Sequence, residues 1–272
     1  MKSLVGKSAV AVVTLAVACS LAGCSPSTSP TASTDGTVET IVPGVVRVGS
    51  QSDNKPYSFV NDNKDLGYTI ELVQDIAKRL NLKTQIVYLD FSALIPSVVS
   101  GSIDIAASSI SDTAEREKIV DFSDPILFGP QAVLAAKEGG VTSDPASLAG
   151  KRLAVVQGTV QDSYATAHWK ANVVRFPDQN SQYAALKTGS VDALFGDQPL
   201  AAEAEASNSS LEIVLSIPDE TSPFAIVFNK KNADLKDAFN KELKSLIADG
   251  TVERLQDKYL PGVPINDMFK AE

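Results

Sequence analysis

The stretch Ser108-Ser109-Ile110-Ser111-Asp112-Thr113-Ala114-Glu115-Arg116 gathers hydroxyls, backbone donors and a guanidinium directly after a short apolar run, Ile103 to Ala107. Arginine presents a planar, bidentate fork to a carboxylate, and a nearby helix N-terminus adds donors of the right sign. The loop is therefore a candidate carboxylate receptor, although its residues alone equally allow a surface Arg116 paired to Glu115 or Asp121. Asp104, Asp121, Asp124, Asp192 and Asp197 could in principle supply a general acid and base. Acids at strand ends more often cap or form ion pairs, so enzyme chemistry is not signalled.

Other chemistry is excluded or weakened by composition. His168 is the one histidine, which rules out a histidine metal cage, and beside Trp169 it reads as an ordinary surface or half-buried pair. The sequence has no Gly-x-Ser-x-Gly, His-Glu-x-x-His or Gly-x-x-x-x-Gly-Lys. Asn61 to Gly67 resembles a calcium loop, but its glycine comes one place late and Leu72 stands where the closing glutamate belongs. A polar hairpin turn is expected there instead. No metal and no cofactor is expected.

The elements that must position these residues belong to a chain of 272 residues with a net charge of −9 and 44% hydrophobic residues. That apolar fraction can bury a core. The acidic excess repels phosphate backbones, and the longest basic runs are pairs such as Lys230-Lys231, so nucleic-acid binding is not expected. Lys2 and Lys7 precede an apolar run from Ala9 to Ala18, which is too short to span a bilayer and ends in Leu21-Ala22-Gly23-Cys24. Residues 1–23 thus read as a signal peptide. Leu-Ala-Gly-Cys resembles the bacterial lipobox, which implies lipid attachment at Cys24 and loss of Cys19 with the leader, leaving no free thiol. Residues 24–44, rich in Ser, Thr and Pro, read as a flexible tether from the membrane.

From Val45 onward short apolar strands alternate with amphipathic helices, the pattern of an α/β fold with largely parallel sheets. Strands are expected at Val45 to Val48 and Thr84 to Leu89. A helix carries Ile70, Val73, Ile76, Ala77 and Leu80 on one face and stops at Asn81; another runs from Ala93 to Ser100 with Pro96 near its first turn. One motif occurs twice, Gly101-Ser102-Ile103-Asp104-Ile105 and Gly189-Ser190-Val191-Asp192-Ala193, each after a helix and opening a strand. Upstream of each lies a strand running into a Gly turn, so two similar lobes are expected. A strand near Phe224 to Asn229 carries the chain back, and two tail helices, carrying Leu235 to Ile247 and Val252 to Tyr259, pack on the first lobe. The expected division is 45–130 with 225–272 as one lobe and 131–224 as the other, with a ligand cleft between them.

Several blocks together resemble a known family. Gly67-Tyr68-Thr69-Ile70-Glu71-Leu72, Asp90-Phe91-Ser92-Ala93-Leu94-Ile95-Pro96, the Ser108 to Arg116 loop and Asp121-Phe122-Ser123-Asp124-Pro125 are similar to the polar amino-acid-binding proteins of ABC importers, solute-binding family 3. Gln157-Gly158-Thr159, Val191 to Asp197 and Ala248-Asp249-Gly250-Thr251 follow in the same order. The resemblance implies a type II periplasmic-binding-protein-like fold: two lobes, each a mostly parallel sheet flanked by helices, joined by two crossing hinge strands.

It also implies roles. Arg116 and Ser111 stand where the family grips the ligand α-carboxylate, Ser109 gives a backbone contact to the α-ammonium, Asp197 pairs with that ammonium with Thr159 beside it, and Phe91 walls the side-chain pocket. Where many relatives have an acid after the first strand this chain has Gln51, and where they have an aromatic lid it has Asn54. Both departures point away from a basic ligand and toward a polar, neutral or acidic amino acid, although Asp53 and Asp90 lie close by. The implied activity is non-enzymatic capture of an amino acid by hinge closure and its delivery to an ABC transporter permease, by a monomer lipid-anchored on the extracytoplasmic face. The alternative is an enzyme on the same fold, similar to the dehydratases that act on prephenate-like acids.

Overall fold

The computed structural model describes residues 38–217 and 223–271. The leader and Cys24 lie outside the described residues.

The chain builds two five-stranded sheets with matching layouts. The first runs Lys83–Tyr88, Val45–Ser50, Ile105–Ala106, Val227–Phe228, Asp121–Phe122. The second runs Asn172–Phe176, Arg152–Val156, Ala193–Asp197, Gln131–Ala136, Leu211–Ile217. In each, the first three strands are parallel and the fourth is antiparallel to both neighbours. That fourth strand is where the chain enters the sheet from the other lobe, and the fifth is where it leaves. The two crossing segments pair with each other: Ile126 N donates to Phe224 O at 2.9 Å and Phe224 N to Leu127 O at 2.8 Å. The mostly parallel, two-lobed α/β architecture expected from the sequence is the one observed.

The repeated motif has a structural job. Gly101 and Gly189 both adopt φ +73° and end a helix, a conformation that favours glycine. Asp104 N then donates to Arg47 O at 3.0 Å while the Asp104 carboxylate accepts from Arg47 N at 2.7 Å. Asp192 repeats this on Arg152, at 2.8 and 2.7 Å. Both acids are thus clips that tie one strand to the next, in equivalent places of the two lobes, and not acid-base groups.

Apolar spacing sets the helices. Ile70, Leu72, Val73, Ile76 and Ala77 bury one face of Tyr68–Arg79, which ends before Asn81 at φ +57°. The helix Phe91–Ser100 begins earlier than its apolar pattern indicates, with Asp90 as N-cap, so Pro96 lies inside it instead of in the first turn and deprives Ser92 O of an intrahelical donor. Asp62 and Asn63, both at positive φ, form the two-residue turn between Ser58–Asn61 and Lys64–Leu66, the polar hairpin expected. The tail helices Ala233–Ala248 and Thr251–Tyr259 send Leu235, Phe239, Leu246, Val252 and Leu255 into one core with Val46, Ile76 and Phe228. Burial of each large apolar side chain there contributes about 1.5 to 3 kcal/mol.

Candidate binding cleft

Arg116 sits in the one-turn helix Ala114–Glu117, whose N-cap Thr113 accepts from Arg116 N at 3.3 Å. Its Nη1 donates to Ser111 O at 2.7 Å within the first lobe, and its Nη2 to Gly158 O at 3.0 Å in the second. The guanidinium also stands 5.5 Å from the centre of the Phe91 ring, within cation–π range. Burial lowers its pKa to about 10, against the pull of Asp112, so it remains charged at neutral pH. The surface-pair alternative is not what forms: Glu115 pairs with Lys118 at 2.6 Å and Asp121 with Lys236 at 3.2 Å.

The serines before Arg116 are held from behind. Ser109 is buried at φ +44°, a left-handed conformation that costs of order 1 to 3 kcal/mol in a non-glycine residue and concentrates at functional sites. Its Oγ accepts from Asn54 Nδ2 at 2.8 Å. Ser108 Oγ lies 2.9 Å from Ser58 Oγ and donates to Gln51 Oε1 at 3.3 Å.

The facing wall comes from the second sheet. Asp197 ends the strand Ala193–Asp197, is 7% exposed, and accepts from Gln161 Nε2 at 2.7 Å. Thr159 caps the helix Val160–His168: its hydroxyl donates to Val156 O at 2.8 Å and accepts from Asp162 N at 3.2 Å. Gly158, at φ +81°, is fixed by its own N–H donating to Asp162 Oδ2 at 3.1 Å.

One cavity of about 20 Å³ joins these walls. Gln51, Phe91, Ser109, Ser111 and Arg116 line it from the first lobe, and Thr159 and Asp197 from the second. Asn54 does not line it; this side chain is 1% exposed and supports the Ser109 loop from behind. A wider opening of about 590 Å³ adjoins at Gln51 and carries the carboxylates of Asp53, Asp90 and Asp178.

The sequence matches bacterial extracellular solute-binding proteins, family 3, over residues 46–262. The chain belongs to this family. It is 33% identical to a probable histidine-binding protein of Campylobacter jejuni over 79% of this chain and 84% of that protein. It is 32% identical to the lysine/arginine/ornithine-binding periplasmic protein of Escherichia coli, over 80% and 88%. Among solved structures, an ancestral arginine-binding protein bound to glutamine superimposes with a TM-score of 0.75 at 31% identity, covering 80% of this chain and 99% of that one. As a family-3 solute-binding protein, the chain works outside the cytoplasm.

The cleft of this family-3 protein also contains residues that sequence reading did not single out. Gln161, Gln179, Gln182, Val156, Val160 and Phe195 line the cavity. Strand alternation from Asp197 puts Phe195 on the same face, a signal present in the sequence. Gln161 lies in the first turn of the helix that Thr159 caps. Gln179 and Gln182 sit on the helix Gln179–Lys187, which no motif marked. Gln182 is buried there with Nε2 donating to Ala154 O at 2.9 Å and Phe195 O at 3.1 Å, so it braces the wall.

Proposed function

We propose that this chain captures a free amino acid between its lobes and hands it to an ABC transporter permease, without chemistry on the ligand. The observation that carries the reading is that Arg116 and Asp197, from different lobes, line one cavity. A zwitterion suits that pair. Arg116, Ser111 and the strained Ser109 receive the carboxylate and ammonium from the first lobe, Asp197 with Gln161 and the Thr159 turn holds the ammonium from the second, and Phe91 walls the side chain. Charge-assisted hydrogen bonds are each worth about 1.5 to 3 kcal/mol. Three or four of them supply about 8 kcal/mol, the scale of micromolar binding.

The cavity has room for about one water. A ligand therefore enters as the lobes part and Arg116 releases Gly158 O, which it then replaces as the partner of the guanidinium. The hinge is the paired crossing segments, with 45–130 and 225–272 moving against 131–224.

The side-chain preference follows from the walls. Gln51 and Gln179 offer amides, and the adjoining mouth bears the carboxylates of Asp90 and Asp178. This supports a polar side chain, neutral or cationic, over an acidic one, in keeping with the names of the relatives. Asp197 is the one carboxylate lining the cavity among the described residues, and the ammonium occupies it, which leaves a dehydratase-type reaction no proton donor at a reacting carbon. We assign the chain as a monomer, tethered by lipid at Cys24.

A calorimetric screen against the twenty amino acids tests the reading. One or a few polar amino acids should bind with micromolar affinity; a flat response with turnover of a keto acid would replace binding by catalysis. The Cys24→Ser variant should leave the membrane fraction, and its retention there would remove the anchor.

A further inference from the structure

Three residues after the first strand run Asp53-Asn54-Lys55, and side chains alternate sides along such a segment. Asn54 turns into the first lobe onto Ser109. Its neighbours turn the other way, onto two helices of the second lobe. Asp53 Oδ2 accepts from Asn180 N at 2.8 Å and its carboxylate also meets the Gln179 amide. Lys55 forms an ion pair with Glu203 on the helix Gln198–Ser207. Neither Asp53 nor Lys55 lines the cavity that holds Arg116 and Asp197.

We propose that Asp53 is a closure residue: it caps the helix Gln179–Lys187 of the facing lobe, so lobe closure is reinforced by a hydrogen bond the ligand never touches. The first amides of a helix have no partner within it. Asp178, the helix's own N-cap, serves Ser181 N at 2.7 Å, which leaves Gln179 and Asn180 N–H for a group from outside. Among the described residues, Asp53 of the first lobe supplies one. The carboxylate is desolvated by this approach and lies near Asp178, both of which raise its pKa, while the two amides lower it. The contact thus depends on an acceptor oxygen, which an asparagine at this position also carries. Lys55 and Glu203 are both well exposed, so their pair adds little beyond orientation. Ligand affinity then has a component set outside the pocket. The same segment that buries Asn54 behind the Ser109 loop ties the loop's position to closure.

This inference rests on the reading of the cleft as a closing binding site, and the experiment separates the two. Amide exchange of Asn180 in the full chain, followed by NMR, reads the contact directly. In Asp53→Ala it should exchange about tenfold faster or more, in Asp53→Asn close to wild type, and Ser181 should stay protected in all three. Dissociation of L-arginine, L-histidine and L-glutamine, for whichever binds the wild type, should be about tenfold faster in Asp53→Ala with association unchanged. Unchanged Asn180 exchange, unchanged dissociation, or equal loss at Ser181 would each overturn the closure role. Failure of the wild type to bind any amino acid would overturn the binding reading instead, and the exchange data would still decide the contact.

Discussion

Arg116 Nη2 donates to the Gly158 carbonyl at 3.0 Å, across the cleft, while Nη1 of the same guanidinium holds Ser111 O at 2.7 Å in its own lobe. A single side chain therefore senses both lobes. A carboxylate arriving between them competes for the fork that Gly158 O occupies, and returns two charge-assisted bonds where one neutral carbonyl was held.

Replacing Arg116 by lysine should reduce amino-acid affinity by about a hundredfold or more, because an ammonium cannot keep Ser111 O and a bidentate carboxylate together. The unfolding midpoint should also fall, because the buried charge stays while the guanidinium's bonds to Ser111 O and Gly158 O are given up in part. Calorimetry and thermal melts on the same variant check both. Retained affinity would remove Arg116 from the carboxylate contact.

Asp197→Asn keeps an acceptor for Gln161 Nε2, which donates at 2.7 Å, but gives up the negative charge opposite an ammonium. It should lose more affinity than Gln161→Ala, which leaves the charge in place and removes a supporting bond worth about 1.5 to 3 kcal/mol. Equal effects from the two would mean that Asp197 acts only through Gln161.

The two clip residues should differ in weight. Asp104 is 1% exposed and accepts from both Arg47 N and Ile41 N at 2.7 Å, so Asp104→Ala leaves two part-buried donors without their acceptor and should cost about 1 to 3 kcal/mol. Asp192 is half-buried beside an exposed Arg152, and Asp192→Ala should cost less. Urea denaturation of both variants gives the comparison, with the reverse order counting against the assignment.

Acid should dissolve one tail contact selectively. The Thr251 contacts first and Arg79 second hold the Asp249 carboxyl down to about 2, against an ordinary 3.8. A carboxyl lowered in the folded state contributes stability above pH 4 that is lost as pH falls from about 4 toward 2. The melting temperature of wild type should therefore exceed that of Asp249→Asn at pH 5 to 7, with the gap closing by pH 2. A gap constant across that range would mean the Asp249 charge contributes nothing.

The alternation of strands and helices, the duplicated Gly-Ser-x-Asp unit and the Ser108 to Arg116 loop are legible in the sequence, because periodicity, glycine conformation and side-chain chemistry are local. The sequence placed Gln51, Phe91, Ser109, Ser111, Arg116, Thr159 and Asp197 in one candidate site, and the fold brings all seven to one cavity. The rest depends on contacts between distant parts of the chain. Asn54 faces away from the cavity because strand alternation turns it onto Ser109, leaving Asp53 and Lys55 to reach the other lobe. The helix starts at Phe91, where Ala93 N donates to Asp90 O at 2.9 Å, which puts Pro96 in its interior; apolar spacing does not mark that start. Gln179 and Gln182 enter the site from a helix distant in sequence, and Arg116 meets Gly158 only where the lobes close. Contacts between groups far apart in the chain have no local pattern; they exist because two separately built sheets are joined by crossing strands that bring their ends face to face.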